Sequence, residues 1–312
     1  ATPTSTPVAP ATSTPTPTNT PTQVPGATAT STPTPTSTPA GSGSRVTNGL
    51  QMLYTFQEGS GSTVSDVSGV GTPLDLTIAN TGATSWLSGG GLSVNTGSTK
   101  TIIESATAAT KLNSGSSASN EVTVEAWIES ANTTQAGPAR IISVSGDPSN
   151  RNVTLGQGYW GSTPTDLFSV RLRTTTNDDN GDNPAVLSNA GTATTGLTHV
   201  VYTRDSAGNV KLYLNGSEVT VDNPVINGSL SNWDSSYKLA LANEIGSTSG
   251  RDWAGTYYLV ALYDRALTTS EVSQNHSAGH LIGNNNPPPA GGQRATGGRE
   301  STRRRDRPGR RA

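Results

Sequence analysis

The chain has 312 residues, with 20 Lys+Arg, 22 Asp+Glu, 3 His and no Cys, for a formal net charge of −2. The absence of cysteine excludes disulfides, cysteine zinc sites and thiol nucleophiles, and no window approaches the ~18–20 apolar residues of a membrane-spanning helix. Eight arginines fall between Arg294 and Arg311 with only Glu300 and Asp306 among them; taking these from the totals leaves 12 basic and 20 acidic residues in an acidic body.

Residues 1–44 consist mainly of Thr, Pro, Ser and Ala in repeats such as TPTPTSTP, and the first charged residue is Arg45. Such a segment buries nothing apolar, and its prolines oppose helix and central strand. It is expected to be a disordered linker sampling polyproline II, at most ~3.1 Å per residue, with hydroxyls that can accept O-linked sugars. The chain begins at Ala1 without a signal-like apolar run and is expected to be a piece of something longer, so further domains of a parent chain count among its expected partners.

From Arg45 the pattern changes to short β segments. Leu50, Met52, Tyr54 and Phe56 alternate until Glu58-Gly-Ser-Gly breaks the run, and weaker strands are expected over 74–78, 86–87 and 101–103. The strongest signal is EVTVEAWIE. Val122, Val124, Ala126 and Ile128 lie on one side, and Glu121, Thr123, Glu125, Trp127 and Glu129 on the other. A strict period of two predicts a half-buried strand whose valine face lies on a second sheet.

Strands are next expected over 139–144, 153–155 and 166–173, where Phe168, Val170 and Leu172 oppose Ser169, Arg171 and Arg173. Residues 198–204 and 209–214 read as a hairpin, and Asn215-Gly216 suits a type I′ turn into 218–221. After 237–241 comes 257–263, apolar on both faces and therefore expected at the centre of a sheet. One helix is predicted: Thr268-Thr-Ser-Glu271 has capping-box spacing, and Gly279 would end it. Many strands, one short helix and 35 glycines predict an all-β sandwich. From Asn284 the chain turns to Asn, Pro, Gly and Arg. Without aromatics to stack bases, this tail is expected to be disordered and to bind no specific nucleic acid.

Four segments, LYTFQEGSGSTVSDVSG (53–69), VTVEAWIES (122–130), KLYLNG (211–216) and DWAGTYYLVALYDRALTTSEV (252–272), fall in an order that resembles laminin-G-like, concanavalin A-like jelly-roll domains. ARIISVSGDPSNRNVTLGQ (139–157) resembles the bacterial secreted branch of that group. The resemblance covers about 46–282 and implies a two-sheet antiparallel jelly-roll sandwich over 45–283, between disordered segments 1–44 and 284–312. It specifies fold better than function, because the fold carries lectins, adhesion modules, enzyme-attached binding domains and some glycosidases.

Jelly-roll glucanases place their acids on one strand as E-x-D-x-E or E-x-D-x-x-E; here the middle positions are Thr123 and Trp127, and the motif fails. Glu121, Glu125 and Glu129 are instead expected to form salt bridges to Arg171 or Arg173. His276 and His280 have helical zinc-pair spacing, but Gly279 stands between them and no glutamate follows His276. His199 opens a strand and reads as structural. Calcium is the cation considered, with oxygen ligands from Asp178, Asp179 and Asp182 in the densest acidic loop. From the resemblance, Glu58, Asp66 and Asp264 are a second set, at the sandwich rim. Sugar binding needs aromatic faces beside polar groups; Trp160, Asn243, Glu244, Arg251, Asp252 and Trp253 are the candidates, with Trp233 and Trp253 also suited to packing down as lids. The expectation is a non-catalytic extracellular or cell-surface module that recognises glycans or glycosylated surfaces, with calcium as a conceivable aid and no membrane insertion. The alternatives are an adhesive protein-binding module and, third, a glycoside hydrolase or its accessory domain.

Overall fold

The computed structural model describes residues 44–161, 164–247 and 250–281. The expected linker before Ser44 and the tail from Asn284 lie outside the described residues. In chain order the strands are β1 (Leu50–Tyr54), β2 (Thr63–Val64), β3 (Leu76–Ile78), β4 (Thr84–Trp86), β5 (Leu92–Val94), β6 (Ile103–Ser105), β7 (Val122–Ser130) and β8 (Ala139–Ser145). They continue with β9 (Arg151–Gln157), β10 (Phe168–Leu172), β11 (Val186–Leu187), β12 (Thr198–Arg204), β13 (Val210–Leu214), β14 (Ser217–Val219), β15 (Lys238–Leu241) and β16 (Gly255–Tyr263). Helix α1 (Thr110–Ser119) precedes β7, and α2 (Thr269–Ala278) follows β16.

The strands form two antiparallel sheets. The first runs β14-β13-β12-β7-β16-β5-β4, and the second β11-β10-β9-β8-β15-β6-β3-β2. In the first sheet β5 pairs with Gly255–Tyr257 and β1 with Val260–Tyr263, so two short strands share one edge of β16. β7 and β16 are central, as their apolar patterns predict. The 198–214 hairpin forms, and Asn215 and Gly216 take φ 50 and 78, the pair of positive values a type I′ turn requires.

Val122, Val124, Ala126 and Ile128 of β7 meet Ile142, Val144, Val153, Leu155, Phe168 and Val170 of the second sheet in one buried cluster. Each of these Val, Ile, Leu and Phe side chains contributes about 1.5–3 kcal/mol by leaving water. The opposite face of β7 is also buried, contrary to the half-buried expectation: Thr123 and Glu125 are 0% and Trp127 3% exposed. Val46, Leu50, Leu267 and Val272 form a second apolar layer over Trp127, Val201, Tyr213 and Leu259. The start of the folded chain and α2 together lie over this sheet.

Helix α2 carries both limbs of the predicted capping box, with Thr268 and Glu271 bonded reciprocally and Gly279 as its C-cap at φ 73. Helix α1 is the correction to the single-helix expectation. Its sequence TKLNSGSSAS is a poor helix former and has no side-chain N-cap. It is held from outside, by burial of Leu112, a bond from Asn113 Nδ2 to the Tyr237 carbonyl (3.1 Å) and an ion pair from Lys111 to Asp66 (2.6 Å). A Cβ on Gly115 would stand 2.5 Å from Asp264 Oδ2, so the weakest helix former in α1 stands where the helix meets the Asp264 side chain.

Candidate functional site

The outer face of the second sheet is polar. β8 and β10 turn Ile142, Val144, Phe168, Val170 and Leu172 inward, which leaves Ser143, Ser169 and Arg171 for the other side, and a register slip between Arg140 and Ile142 puts Arg140 there too. A register slip between Val144 and Ser145 pairs Ser145 with Arg151. Past the end of β15, Ala242 takes φ 64, an uncommon conformation for a residue with a Cβ. It is held there by the Tyr257 hydroxyl, which accepts from its N–H (2.9 Å), and by Asn95 Nδ2, which donates to its carbonyl (3.0 Å). The turn directs Glu244 across β8.

Glu244 serves as the shared carboxylate of this face. Arg140 Nε lies 2.7 Å from its Oε2 and Arg151 Nη1 3.5 Å from the same atom, while the Ser143 (2.9 Å) and Ser145 hydroxyls donate to Oε1. Arg171 Nη1 pairs with Asp182 Oδ2 at 3.3 Å and donates to Asn180 Oδ1 at 3.1 Å. The loop after β9 adds two aromatics. The Arg171 guanidinium stands 5.7 Å from the Tyr159 ring centre, and that of Arg251 stands 5.3 Å from the Trp160 ring centre. The backbones of Gly137 and Gly158 pack together to fix this loop, with room for no Cβ on Gly137. Arg251 is docked beside β8 through its carbonyl, which accepts from Arg140 N at 2.9 Å.

Burial depresses the pKa of Arg140, Arg151 and Arg171, and mutual repulsion adds to the effect: Arg171 and Arg251 act on Arg140, and Arg140 and Arg171 act on Arg151. Arg151 Nε and Nη1, Arg171 Nε and Arg251 Nε are buried without a hydrogen-bond partner in the protein. At 58% exposure Trp160 is the exposed aromatic among the described residues.

Of the six expected ligand residues, the structure places Trp160 and Arg251 face to face. Asn243 and Glu244 lie buried beneath, with Asn243 Oδ1 accepting from Glu244 N (2.9 Å). Asp252 turns to Lys100 at 3.1 Å. Trp253 is 0% exposed, which removes it as a stacking surface. Its indole donates to Gln157 Oε1 (3.2 Å), crosses Tyr257 at 4.9 Å and lies over the space a Cβ on Gly255 would need. Trp233, 7% exposed, likewise packs into the core. Tyr159, Arg140 and Arg151 were not singled out from the sequence; they come to this face through strand pairing, which no local motif announces.

The expected cation ligands do not converge. Asp182 and Asp179 pair with Arg171 and Arg173 (3.3 and 3.0 Å), and Asp178 Oδ1 accepts from Asp182 N at 3.4 Å. Asp66 accepts from the N–H groups of Leu53, Ser68 and Leu74 and from Lys111; burial would raise its pKa, but these donors hold it below the usual carboxylate value. Glu58 accepts from Ser65 N (2.8 Å) and Asp264 from Gln51 Nε2 (2.8 Å). Among the described residues no three His, Cys, Asp or Glu side chains form a metal-binding group.

Glu121, just before β7, and Glu125 and Glu129 within it find partners other than Arg171, in the second sheet, and Arg173, just past β10. Glu125 is enclosed by Arg45, His199 Nε2 (2.8 Å), Asn275 Nδ2 (2.8 Å) and the Tyr263 hydroxyl (3.4 Å). Burial alone would raise its pKa, but Arg45 and His199 bring it down to about 2. Glu129 accepts from Tyr258 OH (3.0 Å) and Glu121 from Ala266 N (2.9 Å). All three histidines gather on this side: the rings of His199, His276 and His280 lie 4.7, 5.4 and 5.4 Å from that of Trp127.

The pattern for the concanavalin A-like lectin/glucanases superfamily (Laminin_G_3) matches residues 104–273, more than half of the chain. The chain belongs to this superfamily. No curated protein sequence matches it. Among solved structures it is similar to Trypanosoma rangeli sialidase in complex with 2,3-difluoro-KDN (TM-score 0.52, 16% identity), over 74% of this chain and 33% of that one. It is also similar to a structure of botulinum neurotoxin type C concerned with interaction with two ganglioside molecules (0.52, 14%; 74% and 52%) and to the botulinum neurotoxin serotype D binding domain (0.52, 11%; 75% and 53%). The chain thus spans about a third to a half of these structures, and at such identities the likeness is one of fold.

Proposed function

We propose that this chain is a non-catalytic carbohydrate-recognition module that works outside the cell or at its surface, with the glycan bound at the loop that carries Trp160. The observation that carries this reading is the exposed Trp160 ring, backed by the Arg251 guanidinium. A sugar ring presents an apolar C–H face to an indole and its hydroxyls to adjacent polar groups, and this platform offers both. Membership of a superfamily of lectins and glucanases supports the reading, as does similarity to a toxin structure concerned with gangliosides. Against catalysis on β7, a glycosidase acid must keep its proton near neutral pH, whereas Glu125 is held at about 2 and neutralised by Arg45.

The test is a glycan-array screen of the full chain beside Trp160→Ala. Selective binding that Trp160→Ala abolishes, with the melting temperature unchanged, is the expected result. Binding is expected to be equal in calcium and in chelator, because the carboxylates expected to bind the ion already accept from protein donors. Silence of the folded wild-type protein across the array would overturn the carbohydrate reading in favour of a protein-binding role.

A further inference from the structure

We infer that the saccharide bound at the Trp160 face carries a carboxylate, and that Arg251 is the residue that receives it. This rests on the carbohydrate reading above and names its ligand class. The starting point is charge. The folded body holds an excess of acidic residues, yet four of its 12 basic residues, Arg140, Arg151, Arg171 and Arg251, are gathered on this face. The carboxylates aimed at them are Glu244 and Asp182. Of the other nearby acids, Asp252 turns to Lys100, while exposed Asp178 acts on Arg171 and half-exposed Asp147 on Arg151 from the solvent side, where their field is screened.

Burying like charges together is costly, and buried ions are normally paired and fully hydrogen-bonded. Here Arg140, Arg151 and Arg171 are 1%, 0% and 4% exposed, and donors on Arg151 and Arg171 find no acceptor in the protein. A neutral sugar leaves that imbalance as it is. An anion offsets it. Because the three guanidiniums are buried, they act through their field, which the low dielectric around them screens little. The contact falls to Arg251, which is partly exposed, lies beside Arg140 through the main chain and is backed by the Trp160 ring. The planar fork of a guanidinium matches a carboxylate through two parallel hydrogen bonds, which a sulfate ester accepts less selectively.

Carboxylated saccharides come from two sources, uronate polymers and sialylated chains, and the experiment separates them. Affinity electrophoresis of the full chain would use polygalacturonate, its methyl-esterified form, a sialylated glycoprotein, its desialylated form and dextran sulfate, each at 20 and 300 mM NaCl. One carboxylated probe is expected to retard the protein at least tenfold more than its neutral counterpart, and more than dextran sulfate does. The effect should weaken several-fold at the higher salt. Arg251→Ala and Trp160→Ala should each reduce retardation at least tenfold, with Arg251→Lys intermediate and all melting temperatures unchanged. Because the arginines of 294–311 also attract polyanions, retardation that survives both alanine variants belongs to that tail and overturns the inference. Equal binding of the esterified and free polymers, or a preference for dextran sulfate, overturns it while leaving the carbohydrate reading intact. Silence toward every probe and every array glycan overturns both.

Discussion

Glu125 shows how a residue that invites a catalytic reading is committed to structure. It shares β7 with Glu129 and lies four residues after Glu121, and one buried ion pair decides its role. Removing one partner of such a pair leaves the other charge buried and unpaired, at a cost of about 3–5 kcal/mol. Glu125→Ala is therefore expected to lower the melting temperature by on the order of 10 °C in a domain of this size. Glu218→Ala, which breaks the exposed pair with Lys211, should change stability by less than about 1 kcal/mol. Calorimetry of the two variants makes the comparison, and similar losses in both would contradict the buried-pair account. The partner of Glu125 was illegible in the sequence, since Arg45 lies 80 positions away and precedes the first strand. Trp253 teaches the same lesson in reverse. SGRDWAG reads as an exposed loop, yet Gly255 opens the space through which the indole folds inward.

At the scale of elements, patterns that close within a few residues could be read directly. The strand at β7, the Asn215-Gly216 turn and the capping box of α2 each need only local spacing and form as expected, although the second face of β7 is buried as well. Elements built by their surroundings could not be read. α1 has weak intrinsic propensity and is held by distant contacts, while β2 and β11 are two residues long and exist through their neighbours. Helix α2 also carries a pH response. Burial lowers the pKa of His276 and His280, helped by His199 in the first case and Arg45 in the second. The unfolded histidines titrate near 6.5. Below that value the unfolded chain binds protons before the folded one does, so stability falls as pH drops through 6.5 and is fully present above it. Melting temperatures from pH 7.5 to 5 should show this decline, and His276→Gln/His280→Gln should flatten it. An unchanged slope in the double variant would place the response elsewhere.

For the whole molecule, the two sheets have outer faces of different character. The first is sealed by an apolar layer in which Glu125 is the buried acid, and the second carries the guanidinium cluster and the aromatic loop. A second loss of stability follows from the first of these. With its folded pKa at about 2 against a reference of 4.5, Glu125 contributes fully above 4.5 and progressively less as pH falls towards 2. Acid titration followed by circular dichroism should show this loss below 4.5, separate from the histidine step, and Glu125→Gln should reduce it, the remainder coming from Glu271 and from Asp66, whose pKa values are also lowered by their partners. The architecture was legible from the number and spacing of strands. On the outer face of the second sheet Trp160, Asn243, Glu244 and Arg251 were legible as polar and aromatic loop residues, whereas Arg140 and Arg151 were not, because they are brought there by pairing between β8, β9 and β10.

The contact of Arg45 with the Gly279 carbonyl (2.8 Å), and of Val46 N with Asn275 Oδ1 (2.8 Å), gives the folded body a single doorway. The chain comes in and goes out side by side, although 234 positions separate Arg45 from Gly279. A pull applied along a longer polypeptide would then pass through this clasp and bypass the sheets. The sandwich would hang from the line as a pendant, with both of its sheets outside the path of the load.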